Sequence, residues 1–169
     1  MLVAAVAAIL DRDLQALARE IAAYPDERAL WETPAGITNS GGTLAVHLAG
    51  NIRHYFGAKL GGTGYVRDRP AEFAARDVPR VTILAQIEEA RAAVRAAAGR
   101  LTDERLDEDY PEVIAGVRVA TEEFLVHLVS HFAYHLGQLD YHRRVVTRQT
   151  GGVNAVRTVE LSTARPVPD

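Results

Sequence analysis

Histidines at helical spacing are the residues of this sequence best suited to chemistry. His131 and His135 lie four residues apart, and His47 and His54 lie seven apart. At about 100° per residue, the members of each pair share one face of a helix, with offsets of roughly 40° and 20°. Two imidazoles one turn apart can bind one divalent metal, and a third from another helix leaves a coordination position open for water or substrate. The pattern therefore predicts a metal site of the catalytic type between two helices.

Spacing alone leaves the membership of this site open. His47 and His54 are equal candidates for the third ligand, and His127 is not excluded. The alternative is that these histidines are hydrogen-bonded residues at the boundary of the core and bind no metal. Residues positioned to orient the ligand rings from outside the coordination sphere are Asn51, Gln138 and Glu123.

Composition narrows the chemistry further. The chain has 169 residues, six His and no Cys, and its formal net charge is −3. The lack of Cys excludes disulfides, thiolate metal sites and a Cys nucleophile, so a transition-metal site must use His, Asp or Glu. The mild negative charge argues against nucleic acid as a partner. The apolar segment 1–10 is about half a membrane span and has no basic region before it, which predicts a cytoplasmic protein without a membrane segment.

Four long amphipathic helices are expected to position the histidines. Apolar residues at helical spacing and the flanking Pro, Ser and Gly residues predict helices over 2–24, 41–60, 80–99 and 120–148. All six His fall on the second and the last of these helices. The segment between the third and fourth helices contains Pro111 and Gly116 among β-branched residues, which predicts a short hairpin insertion. The predicted fold is all-α, a four-helix bundle over 1–150 followed by an irregular tail over 151–169.

Three segments of the chain resemble the DinB/YfiT-like superfamily of small bacterial four-helix proteins. They are VHLAGNIRHYFG (46–57), RDRPAEF (67–73) and LVSHFAYHLGQL (128–139), and their order and spacing fit over roughly 8–148. The resemblance implies that His47, His131 and His135 bind a divalent metal, with Zn or Ni expected, and that the other three His do not. His54, His127 and His142 are expected at the surface or at the boundary of the core. It also implies a homodimer, with the first and last core helices as the natural interface.

The resemblance further implies an activity. Characterised relatives include thiol-dependent S-transferases and an isomerase that uses a thiol cofactor. Because this chain has no Cys, the nucleophilic sulfur must come from an external low-molecular-weight thiol acting on a small-molecule substrate. The alternatives are a metal-dependent hydrolase, a non-catalytic metal-binding module linked to stress, and a helical scaffold that holds no metal. No nucleic acid or membrane partner is expected.

The RDRPAEF segment has two interpretations. Arg67 and Arg69 can clamp a carboxylate of the thiol cofactor, since the guanidinium fork matches a carboxylate. In the simpler interpretation the segment is a solvated loop, with Glu72 paired locally and Phe73 anchored on the core. Near the histidine pair, Gly137 is expected to permit close helix packing, and Gln138 to hold either a metal-bound water or a backbone group.

Overall fold

Six α-helices build the protein in the computed structural model, which describes residues 2–167. Four of them are long or form the core of the bundle: α1 (Leu2–Ala22), α3 (Gly41–Ile52), α5 (Arg80–Ala98) and α6 (Thr121–Thr147). Two short helices, α2 (Glu27–Trp31) and α4 (Arg69–Ala74), lie in the connections and were not predicted. The all-α fold class is confirmed. Met1, Pro168 and Asp169 lie outside the described residues.

The core lies where the apolar stripes of the four main helices meet. Helices α1 and α3 each pack against both α5 and α6. The side chains at the centre recur every three or four residues, so that each helix presents one continuous apolar face. Those with no exposed surface include Leu10, Leu14, Leu17, Ile21, Leu48, Ile52, Ile83, Ile87, Leu125 and Phe132. This arrangement fixes the relative position of α3 and α6, the two helices that carry the histidines.

Helix α3 begins as predicted but changes character before its predicted end. The Ser40 hydroxyl accepts a hydrogen bond from the Thr43 amide, which satisfies a helix N-terminal donor. From Arg53 to Ala58 the backbone forms a π-helical turn instead of the α-helix expected up to residue 60. Within it the Lys59 amide bonds to the His54 carbonyl, five residues back. The Tyr55 carbonyl accepts a hydrogen bond of 2.7 Å from the Tyr110 hydroxyl.

The insertion before α6 is a loop closed by two isolated antiparallel bridges, Asp109 with Ala120 and Ile114 with Val117. Within residues 2–167 it forms no extended strand, because Pro111 and the turn at Gly116 interrupt the pairing. Tyr110 is buried at its base and anchors it to the π-helical turn. The predicted hairpin is therefore present in a reduced form.

A buried ion pair joins the C-terminal end of α1 to the C-terminal end of α6. Arg143 of α6 donates to the carboxylate of Glu20 on α1, and both side chains are essentially without solvent exposure. Arg143 also donates to Asp140 at 3.0 Å and to the Gly151 carbonyl at 3.1 Å, which holds the start of the C-terminal segment against the bundle. In the part of the chain from 2 to 167, no helix has the length and apolar character needed to cross a membrane.

Candidate metal centre

Three histidines from two helices meet on the seam between α3 and α6. His47 comes from α3, and His131 and His135 come from α6. One ring nitrogen of each lies within 4.8 Å of those of the other two. The ring centroid of His47 is 5.4 Å from those of both His131 and His135, which are 4.6 Å apart. This donor set is one that a divalent transition metal accepts.

The antiparallel packing of α3 and α6 brings these rings together. Gly41, at the start of α3, lies beside His142 near the end of α6. Tyr55, just beyond the end of α3, has its ring 5.1 Å from that of Phe124 near the start of α6. His47 therefore faces the middle of α6, where His131 and His135 lie one turn apart on the same side.

Glu72 fixes the orientation of His47. Its Oε2 lies 3.0 Å from His47 Nδ1, and both side chains are buried. Arg67 holds the same carboxylate through two hydrogen bonds of 2.7 Å each. Arg67 Nη2 also lies 3.3 Å from Nδ1, but a guanidinium cannot accept a proton, so the Nδ1 proton is donated to Glu72. Nε2 of His47 is then the ring nitrogen that faces away from Glu72 and can bind a metal, as in carboxylate–histidine–metal arrangements.

Gly50 of α3 leaves the space that the Glu72 carboxylate occupies. Helix α4 places Glu72 against Gly50, where a Cβ atom would overlap the carboxylate. Burial by itself raises the pKa of Glu72, but the hydrogen bonds from Arg67 and His47 outweigh it and leave the pKa below its usual value. The carboxylate is therefore charged at neutral pH and suited to hold the His47 tautomer.

His131 and His135, the two cluster histidines on α6, are neutral at pH 7 but differ in their hydrogen-bond partners. His135 Nδ1 lies 2.7 Å from Gln138 Oε1, so it donates there and leaves Nε2 unprotonated. His131 Nδ1 is buried and has no hydrogen-bond partner among the described residues. Burial, reinforced by the neighbouring His135 and His47, lowers the pKa of His131 to about 4. Burial also lowers the pKa of His135. Neutral imidazoles are the form that ligates metal.

The other three histidines lie outside the cluster. His54 Nε2 pairs with Glu112 Oε2 at 2.8 Å and connects the π-helical turn to the insertion. His127 is exposed on α6, with its ring 6.1 Å from that of His131. His142 was expected at the surface or boundary, and this expectation is wrong because it is buried. Its Nδ1 accepts from the Tyr24 hydroxyl at 2.7 Å, and its Nε2 donates to the Glu32 carbonyl at 2.8 Å.

The loop and the residues near the pair differ in part from their expected roles. Arg67 is not available to clamp a cofactor carboxylate, because it is buried and engaged by Glu72. Arg69 remains exposed and lies over the Phe73 ring, which in turn contacts His47. Gly137 does not serve close packing, since a Cβ there would meet nothing within 4 Å. Gln138 holds His135 rather than a backbone group.

Asn51 and Glu123 were also proposed to orient the histidine rings, but within the described residues neither is hydrogen-bonded to one of the three clustered histidines. Asn51 is buried, and its Oδ1 has no partner within residues 2–167. Glu123 is exposed and lines a small cavity near the start of α6. The sequence predicted a local partner for Glu72, which is Arg67, but not the contact of Glu72 with His47. The signal for it was the small residue Gly50 in the HLAGN motif, which leaves space for an incoming side chain.

Replacing Glu72 with Gln is expected to weaken metal binding by about 10–100-fold, because the neutral amide holds the His47 ring less firmly. Competition with a chromogenic chelator measures the dissociation constant. Glu123→Gln, an exposed substitution of the same kind, should bind metal like the original protein. Equal affinity in the Glu72 variant would contradict the orienting role.

The fold and the site together define a class, the helical bundle with a cluster of three histidines between two of its helices. A sequence model of the family described as Mycothiol-S-transferase matches residues 5–148. The chain therefore belongs to the mycothiol S-transferase family, which is part of the DinB/YfiT-like superfamily. Its members are metal-dependent thiol S-transferases. No curated protein and no solved structure matched the chain.

Proposed function

We propose that this chain is a metal-dependent S-transferase that uses mycothiol as its thiol. The observation that carries the proposal is the cluster of His47, His131 and His135, three imidazole donors with no carboxylate among them. Three imidazoles suit Zn or Ni, and they leave a coordination position for a further ligand. We propose these three residues as the metal ligands.

A divalent cation held there would lower the pKa of a thiol that reaches the open position, which makes its sulfur nucleophilic at neutral pH. The chain's own residues prepare the site. Glu72 and Gln138 accept hydrogen bonds from Nδ1 of His47 and His135, which selects the tautomer with Nε2 as the metal-binding nitrogen. In the transfer, the thiol loses its proton to solvent and its sulfur forms a bond to the electrophilic carbon. The bond from that carbon to the leaving group breaks, and the leaving group departs with the electron pair.

The remaining features of the proposal follow from the sequence and the family. The sulfur must be external because the chain has no Cys. We propose a small-molecule electrophile as the second substrate, a cytoplasmic location and a homodimer, with no nucleic acid or membrane partner. Family membership supports the choice of a small thiol, and the exposed apolar side chains on α6 are compatible with a second copy.

Metal-dependent transfer is the test of this function. Protein loaded with Zn or Ni is incubated with mycothiol and 1-chloro-2,4-dinitrobenzene, and the thioether product is followed by absorbance. We expect turnover that a chelator abolishes and the same metal restores, and a much slower reaction with glutathione in place of mycothiol.

Two results would overturn the proposal. Metal-loaded protein that gives no product with any thiol and electrophile of a broad panel would be a binding module. Hydrolysis of ester or amide substrates without consumption of thiol would make it a metal-dependent hydrolase instead.

A further inference from the structure

An open cavity of about 420 Å³ lies beside the C-terminal half of α6, and Gln138, the hydrogen-bond partner of His135, is one of its lining residues. Gln138, Tyr141, His142 and Val145 of α6 form one wall. The opposite wall comes from Leu44 at the start of α3 and from the loop before it, with Gly36, Ile37, Thr38 and Asn39. The volume is nearly three times the ~150 Å³ that holds a benzene molecule, and it falls in the range of small-molecule sites.

The surface of the walls is mostly apolar and carries no charged side chain. Ile37, Tyr141 and Val145 are 42%, 72% and 55% exposed, although large apolar side chains are mostly buried in a protein of this size. None of the residues that line the cavity is an Asp, Glu, Lys or Arg. His142 is neutral there, because both ring nitrogens are already used by Tyr24 and the Glu32 carbonyl. Such walls favour an uncharged occupant with an apolar body.

Gln138 connects this cavity to the metal centre. Its Oε1 accepts the proton of His135 Nδ1, while its amide nitrogen has no partner in the described part of the chain. A molecule in the cavity that carries a nitro or carbonyl oxygen can accept a hydrogen bond from that nitrogen. The side chain that orients a histidine of the cluster is thus also part of the cavity wall.

A second cavity, on the other side of the cluster, is less suited to a substrate. It measures about 210 Å³ and is lined by Ile114, Val119, Glu123, Phe124 and His127. Its volume lies below the usual range for small-molecule sites, and Glu123 brings a carboxylate to its wall.

We propose that the larger cavity binds the apolar body of the electrophilic substrate, an uncharged and preferably aromatic molecule that bears a hydrogen-bond acceptor. This inference rests on the proposed S-transferase function and adds to it the chemical class of the acceptor. The apolar side chains hold the body of the molecule, and the Gln138 amide nitrogen binds its acceptor group. The reacting carbon then lies towards the histidine cluster.

Binding of an unreactive aromatic compound tests this site without relying on turnover. Calorimetric titration with 1,3-dinitrobenzene is carried out on the original protein, on Val145→Trp and on Val126→Trp. Val126 is a matched control, since it is 48% exposed on the same helix and does not line the cavity. We expect the indole at position 145 to occupy the cavity and weaken binding at least about tenfold, while the control binds like the original protein.

Kinetics with the metal-loaded protein give the second readout. We expect Val145→Trp to raise the KM for 1-chloro-2,4-dinitrobenzene about tenfold with kcat nearly unchanged, and Val126→Trp to leave both values as in the original protein. If 1,3-dinitrobenzene binds but no transfer occurs, the cavity is supported and the S-transferase function fails. If transfer occurs and neither tryptophan changes binding or KM, the function stands and the cavity proposal is wrong.

Self-association is the competing use of the same surface. Sedimentation of the three proteins at equal concentration distinguishes it. We expect all three to sediment alike. A change from dimer to monomer in Val145→Trp, with no binding of 1,3-dinitrobenzene to the original protein, would overturn the proposal and make this face an interface between copies.

Discussion

His131→Leu is expected to abolish metal binding while leaving the metal-free protein at least as stable as the original. His131 Nδ1 is buried without a hydrogen-bond partner within residues 2–167, an arrangement that costs about 1–3 kcal/mol. Leucine has a similar volume and no polar atom, so it removes that cost. Loss of one of the three proposed ligands should lower metal affinity well beyond the ~10–100-fold that loss of an orienting residue produces.

Two measurements check this prediction, metal content after dialysis and urea denaturation of the metal-free form. His127→Leu is the matched control, because His127 lies one turn earlier on α6 and is exposed. The control should retain its metal. The expected gain in the free energy of unfolding for His131→Leu is about 0–2 kcal/mol. Stoichiometric metal in the His131 variant, or a large loss of stability, would show that this residue serves the fold and not a metal.

Arg143→Met is expected to lower the free energy of unfolding by about 3–5 kcal/mol at neutral pH, because it leaves the buried Glu20 carboxylate without its counter-ion. The same substitution removes the hydrogen bond that Arg143 donates to the Gly151 carbonyl. An isolated buried carboxylate has a raised pKa in the folded state. The deficit should therefore be smaller at pH 5, where Glu20 takes up a proton, and larger at pH 8.

Arg144→Met is the matched control for this ion pair. Arg144 also pairs with Asp140, at 3.0 Å, but its side chain is 39% exposed. Its loss should cost less than about 1 kcal/mol, as for other exposed ion pairs. The double substitution Glu20→Leu with Arg143→Met should recover most of the lost stability, since replacing a whole buried pair by apolar residues is often neutral. Equal effects of Arg143→Met and Arg144→Met in chemical denaturation would contradict the role assigned to burial.

The helices and the histidine cluster were within reach of the sequence because both depend on local periodicity. Leu10, Leu14 and Leu17 mark the buried face of α1, and all three have no exposed surface. Residues four apart share a face in any α-helix, so the spacing of His131 and His135 was enough to place them together. The third member, His47, came from the resemblance to the family and not from spacing, which treated His54 as its equal.

The partners of these histidines depend on contacts between distant segments, which periodicity does not encode. Glu72 reaches His47 only because α4 folds back over α3 beside Gly50. His142 looked like a boundary residue, but Tyr24 and the Glu32 carbonyl, both more than a hundred positions away in the chain, supply its hydrogen bonds. Tertiary packing decides which residues pair. A single sequence therefore shows that a histidine needs a partner, but not which distant residue supplies it.

The π-helical turn after α3 changes the direction in which the following side chains point. Residues before the turn and residues within it can therefore face different parts of the molecule. An extra residue in a helix rotates everything beyond it by about 100° relative to what comes before. His47 lies before the turn and faces α6, whereas His54 and Tyr55 lie within it and hold the insertion through Glu112 and Tyr110. The contacts that hold the insertion are therefore made by residues whose helical alignment differs from that of His47. Deleting one residue between Arg53 and Ala58 would restore a regular α-helix there. The residues that hold the insertion would then follow the same helical alignment as His47.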